Sequence, residues 1–180
     1  ERSEVLSLKP DMASLTLSSL NFPNQASVNS PETIEILARR IAESGATAEL
    51  EVFDLGMANY MLYLIRKKLI DSALYVNIIL GNIAGAQIGF ADVAALLAKI
   101  PHHAHIALGG IGRFQLDAQL MAMSAGLGVR IGLEDNIYFD RSKSKVTSNM
   151  ELLNRCHQIA SLAQRPIMSS KEFGNKGFYN

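Results

Sequence analysis

The chain has 180 residues, 48% of them hydrophobic and 19% charged, and its 17 basic and 17 acidic residues leave no formal net charge. That composition suits a single soluble globular domain over residues 1–180 with a sizeable core. Neutrality removes the electrostatic case for nucleic acid or an anionic membrane, and no apolar run approaches the roughly 20 residues of a membrane span.

Residues 1–5 carry neither an initiator Met nor a signal-peptide pattern and read as a start in mid-protein. Residues 12–17 alternate and read as a strand, followed by a polar loop over 18–29. Ser30-Pro31-Glu32 is a helix start: an N-cap serine, proline at the first helical position and an acid in the first turn. Ile34, Leu37, Ala38 and Ile41 keep the helical period until Gly45 stops it. The next strand is 49–54, then a helix over 56–69 with Leu62, Ile65 and Leu69 on one face. Arg66-Lys67-Lys68 closes that helix, where cations suit the dipole. Residues 74–81 form an apolar strand of the fully buried kind. A helix over 90–100 stops at Pro101, and a strand over 105–110 precedes a helix over 114–125. Residues 127–132 are a short glycine-bounded strand around which the rest is organised. Thr147 or Ser148 caps a last helix through Ala163, with Glu151 placed for a capping box. The aromatic residues Phe173, Phe178 and Tyr179 of the tail suggest that it docks on its own domain. The one cysteine, Cys156, lacks an internal disulfide partner, which points to a reducing cytoplasm.

Five successive β-then-α units predict an α/β fold with a parallel sheet. Two architectures fit: an open doubly wound sheet, or part of an eight-fold barrel. A complete (β/α)8 barrel takes about 250 residues, so this chain would supply roughly five of the eight units.

Polar or glycine-rich sequence stands at nearly every strand end. The first strand gives Ser14, Thr16 and Ser18 on one face, then Asn21. The second gives Glu49 and Glu51 on one face and Asp54 on the other. The third ends in Gly81-Asn82, and the fourth in Gly109-Gly110-Ile111-Gly112-Arg113. The fifth carries Arg130, then Glu134 and Asp135. Side chains converging from several strand ends are how barrel enzymes build sites. Each also has a plainer reading. Glu49 and Glu51 suit a solvated edge strand, Arg130 an internal ion pair, and Ser14 and Thr16 ordinary strand positions. Gly110, Gly112 and Arg113 form either a phosphate-receiving loop at a helix start, the candidate cofactor-binding set, or a tight turn. His102-His103-Ala104-His105 resembles a metal cluster but precedes its strand, at the end opposite the chemistry. His157 reads as a surface or packing residue.

The segments 49–56, 109–113 and 129–136, with Ser14-Leu15-Thr16 and Ser19-Leu20-Asn21-Phe22, resemble the β-keto acid cleavage enzymes over most of the chain. The resemblance implies a zinc-dependent (β/α)8 barrel, of which this chain is the C-terminal part. It implies condensation of a β-keto acid with acetyl-CoA and cleavage to acetoacetate and a new CoA thioester. It further implies Glu134 as the carboxylate ligand of Zn2+, Asp135 as the catalytic base, Arg130 as its partner, and Glu51, or else Glu49, as the acid that completes the group. Ser14, Thr16 and Glu49 are the implied substrate contacts, acetyl-CoA the co-substrate, and a cytoplasmic homo-oligomer the expected assembly. The family's His-X-His zinc pair and glycine-rich substrate loop have no counterpart in these residues. The competing expectations are a barrel acting on a phosphorylated metabolite, or a barrel fragment that works as an interaction module.

Overall fold

The computed structural model describes residues 3–70 and 73–179. After a short 3-10 helix at Glu4–Leu8, the chain lays down β1 (Met12–Thr16), a two-stranded hairpin of β2 (Leu20–Asn21) and β3 (Ala26–Ser27), and α1 (Pro31–Ser44). Then come β4 (Thr47–Val52), α2 (Leu55–Arg66), β5 (Tyr75–Leu80), α3 (Phe90–Leu97) and β6 (His105–Gly110). A 3-10 turn at Gly112–Phe114 leads into α4 (Gln115–Ala125), β7 (Gly128–Val129), α5 (Asn149–Leu162) and α6 (Ser170–Phe173), which runs into a π-helical turn at Gly174–Phe178. No helix among the described residues is long and apolar enough to cross a membrane.

The five longer-range strands pair in parallel in the order β1-β4-β5-β6-β7. That order never reverses, so the switch point of a doubly wound sheet is missing among the described residues. Strands laid in one direction with right-handed crossovers put the connecting helices on one face. The core sits there: Leu50, Val52, Val76, Ile78, Leu80 and Leu108 are almost fully buried, against Ile34, Met57, Met61 and Leu64 from the helices.

Several sequence boundaries move. Asp54 leaves the strand and becomes the N-cap of α2, its carboxylate accepting from the Met57 amide at 2.8 Å. The buried face of α2 is Met57, Ala58, Met61 and Leu64, not Leu62, Ile65 and Leu69. The α2 sequence is apolar nearly all round, so two stripes compete on period alone. Leu69 is buried only because Lys68 turns left-handed (φ 56°) after the helix has ended. The loop over 18–29 contains a hairpin, and the helix after Gly89 ends at Leu97, with Ile100 buried beyond it. The organising strand is the shortest: its ladder holds only Gly128 and Val129, extended by the Arg130 amide donating to the Leu108 carbonyl at 2.9 Å. The capping box of Ser148 and Glu151 starts α5 as its sequence signature predicts.

The tail turns back under the sheet. Phe178 is 1% exposed and stacks on Phe173 with 4.7 Å between ring centroids. Edge-on contacts reach Tyr75 at 5.7 Å and His105 at 5.2 Å, the first residues of β5 and β6. The tail therefore closes the strand-start end of the face that the helices leave free.

Candidate active site

Residues paired in a parallel ladder point to the same face. One row across the free face is thus Ser14, Glu49, Tyr75 and His105, and the next is Thr16, Glu51, Asn77, Ala107 and Gly128. Arg130 lies two residues beyond Gly128 and projects the same way. It lies over Gly109, where even a Cβ would come within 3.1–3.2 Å of the arginine side chain. The glycine in β6 is what gives Arg130 its bed.

Arg130 is 16% exposed and faces four carboxylates. Its Nε donates to Asp135 Oδ2 at 3.1 Å and its Nη2 to Glu134 Oε2 at 2.9 Å. Its Nη1 stands 3.7 Å from Glu49 Oε1 and 3.7 Å from Glu51 Oε1. All four acids and the arginine thus meet at one place, where the strands' C-terminal ends point.

A pinned turn brings two consecutive acids to one guanidinium. The Gly132 carbonyl accepts from the buried Gln115 amide at 2.8 Å and from the Asp135 and Asn136 backbones at 3.3 and 3.2 Å. The Gly112 amide donates to the Asp135 carbonyl at 2.7 Å, and Asn149 Oδ1 accepts from the Leu133 amide at 3.0 Å. The result is asymmetric. The Asp135 side chain is 8% exposed, whereas that of Glu134 is 83% exposed.

Burial pushes the Asp135 carboxyl above the ordinary aspartate value, against the hydrogen bond and charge of Arg130, and the Glu134 charge adds to the rise. Glu51 is also raised, first by burial and then by the charges of Glu49 and Glu134, against the Thr16 hydroxyl and Arg130. Burial alone would lower Arg130; Asp135, Glu51 and Glu134 reverse that and hold it charged. A carboxyl raised by desolvation and poised beside a fixed cation is suited to proton transfer.

The hydroxyl protons of Ser14 and Thr16 are given to the glutamates, Ser14 to Glu49 Oε2 at 3.0 Å and Thr16 to Glu51 Oε2 at 2.5 Å. A hydroxyl has one proton, so neither donates to a substrate carboxylate while these bonds hold. The amides of Ile111, Gly112 and Phe114 donate to the Leu80, Asp135 and Ile111 carbonyls. Gly110 packs so closely that a Cβ would sit 2.4 Å from the Phe114 carbonyl oxygen, and Arg113 is exposed over the Phe114 ring at 4.7 Å. Those bonds are the internal pairing of a tight turn. His103 is exposed, and His105 starts β6 beneath the tail, at the end away from Glu134. Burial and the nearby Lys176 charge hold the His105 imidazole below its usual value.

Two participants escaped the sequence reading. Asn77, 2% exposed, donates through its amide to Glu49 Oε1, while its Oδ1 has no hydrogen-bond partner among the described residues. Its signal was a single amide inside an otherwise apolar strand. Gln115 anchors the Gly132 turn; a glutamine at a helix start gives no comparable signal.

A family model described as β-keto acid cleavage enzyme matches residues 1–175. The chain belongs to that family. Its relatives include the 3-keto-5-aminohexanoate cleavage enzyme of Acetoanaerobium sticklandii, 30% identical over 96% of this chain and 63% of the relative. Another is the 3-oxoadipate:acetyl-CoA acetyltransferase of Cupriavidus necator, 32% identical over 93% of this chain and 60% of the relative. The chain spans about three-fifths of the length of the curated relatives it matches. Among solved structures, apo ObcA superposes with a TM-score of 0.74 at 16% identity, over 92% of this chain and 43% of that one, a likeness of fold.

The β-keto acid cleavage enzyme resemblance brings zinc into question. No group of three or more His, Cys, Asp or Glu among the described residues is arranged to hold a metal ion. The four acids surround a guanidinium, and the imidazoles of His103 and His105 stand at the other end of the sheet. Three protein ligands are the usual catalytic set. The exposed Glu134 carboxylate suits one of them, and the chain's own residues do not make a complete zinc site.

Proposed function

We propose that residues 1–180 form one domain comprising the last five units of a (β/α)8 barrel, and that the intact enzyme exchanges acyl groups between a β-keto acid and acetyl-CoA. The products are acetoacetate and the CoA thioester of the remaining acyl group, which balances carbon and CoA. The one-directional strand order and the ObcA-like fold support the barrel, and two relatives named for a 3-keto acid support the substrate class. The observation that carries it is the Arg130–Asp135 pair: a desolvated carboxylate held at one oxygen by a fixed guanidinium, at the ligand-binding end of a parallel sheet.

A carbon between a ketone and a carboxylate loses a proton to a well-placed base. Asp135, raised by burial, takes that proton, and Arg130 keeps it oriented and offsets the charge of the neighbouring acids. The enolate left behind attacks the thioester carbonyl and expels the CoA thiolate. The thiolate then adds to the original keto carbonyl, the adjoining C–C bond breaks, and the acetoacetate carbon takes back the proton, leaving the new CoA thioester. Glu51, already raised, is the second proton-holding group. Zinc, when bound, polarises the keto oxygen as a Lewis acid; Glu134 is this chain's proposed ligand, the others lying outside these residues. Glu49 lines the substrate side with Ser14 and Thr16. The exposed Arg113 is the proposed contact to the CoA phosphates, and Gly110 and Gly112 shape the turn that carries it. A homo-oligomer in the cytoplasm is the expected setting.

Metal analysis and steady-state kinetics on two variants of the intact enzyme test the roles. Glu134→Gln should lose zinc and activity together. Asp135→Asn should keep zinc and substrate affinity while turnover falls by about 10²–10⁴-fold, as for a lost general base. Zinc lost from Asp135→Asn but kept in Glu134→Gln would mean the roles are swapped. Full turnover in both would remove this strand end as the active site.

A further inference from the structure

Asn77 stands on β5 in register with Glu51, on the face that carries Arg130. It is 2% exposed, and it is the only amide side chain in a strand whose other residues are apolar or aromatic. Its Nδ2 donates to Glu49 Oε1. That same oxygen lies 3.7 Å from Arg130 Nη1, and the other Glu49 oxygen accepts from Ser14. Both oxygens of Glu49 are therefore fixed, and one is shared between Asn77 and the guanidinium. The far side of that guanidinium, Nε, meets Asp135. A planar guanidinium turned about its axis moves every fork at once. Whatever holds Glu49 under Nη1 thus sets the angle at which Nε meets Asp135.

The cost of this arrangement is visible. Among the described residues the buried Asn77 Oδ1 has no hydrogen-bond partner, so the residue is not there for its own satisfaction. A leucine or valine would suit the buried strand better. The neighbours on the next strands, Ala107 and Gly128, are small and leave the row open for the amide and for Arg130 beyond it.

We propose that Asn77 is a positioning residue for the proposed reaction: through Glu49 it orients Arg130 so that Nε is presented to Asp135. The inference rests on Asp135 as the base. Asn77 itself is shut off from solvent and touches no substrate.

The test is a double-mutant cycle in the intact enzyme, using Asn77→Ala, Glu49→Gln and both together, with kcat and KM read separately. If Asn77 acts through Glu49, each single variant lowers kcat by about tenfold, Asn77→Ala with KM held within about twofold, and the double variant falls no further than the worse single one. A residue that only supports the strand would give kcat losses that multiply, or lower melting temperatures with kcat unchanged; either result overturns the proposal. If Asn77→Ala does not fold, Glu49→Gln decides alone, and an unchanged kcat overturns it. Asp135→Asn is run beside them. Should it keep full turnover, the assignment of the base has failed. Should it lose turnover while Asn77→Ala and Glu49→Gln do not, the assignment stands and the orientation pathway falls.

Discussion

Arg130 has one positive charge and four carboxylates around it. One cation cannot neutralise four anions in a half-buried site, so protons must make up part of the difference. Glu51 and Asp135 are the groups raised by burial. In the folded chain Glu51 keeps its proton at pH values where the unfolded chain has released it. Folding then takes up a proton, and stability falls as pH rises from the ordinary carboxylate value through the raised one. Glu51→Gln removes this dependence. Denaturant unfolding between about pH 4 and about pH 8 should show a flatter profile for the variant, and a stability at neutral pH above the parent's, with activity reduced. A profile unchanged in slope would mean that Glu51 titrates normally. The charged members of the cluster were legible in the sequence because Arg130 and the same-face pair Glu49 and Glu51 are out of place in a buried strand. Asn77 and Gln115 were not, because an amide's role is set by the partner it meets in space.

Elements with chemical punctuation were read from sequence almost to the residue. α1 has a serine cap, a first-turn proline and a glycine stop, and α5 has its capping box. α2 lacks a polar face strong enough to choose between two apolar stripes, and only packing against β4 decides it. The organising strand reads as six residues because glycines bound residues 127–132, yet only two complete ladder pairing. Beyond Arg130 the backbone spends its bonds on the Gly132 turn instead. The tail is the element whose removal should be felt most. Phe178→Ala strips the one fully buried ring from the patch formed with Phe173, Tyr75 and His105. A loss of about 3 kcal/mol is expected, at the low end for a buried phenylalanine because the tail can withdraw rather than leave a void. Chemical denaturation measures it, and a loss below about 1 kcal/mol would mean that the tail does not close the sheet.

At the scale of the whole molecule, the number and order of the βα units are legible in the hydrophobic pattern, whereas the choice between two windings comes only from the family resemblance. Hydrophobic period reports which residues face inward but not which strand is the neighbour. That information is in the strand order, where β1 and β7 each have one ladder partner and the three strands between them have two. In residues 1–180 taken alone, amides of β5 and β6 should therefore exchange with solvent most slowly, and those of β1 and β7 orders of magnitude faster. Hydrogen exchange read strand by strand checks this; equal protection at the edges would mean that they are covered in solution.

The unreversed strand order also bears on how the chain is made. Within the five-stranded sheet, β4, β5, β6 and β7 each find a partner already synthesised, so these strands can add at one edge as translation proceeds. Residues 169–179 are the exception. They fold back to Tyr75 and His105, rings of β5 and β6 laid down well before the tail. Loop closure of that span is slow relative to local pairing. Docking of Phe178 would then follow the pairing of these five strands, and a chain released before it is made would carry the paired strands with an open floor.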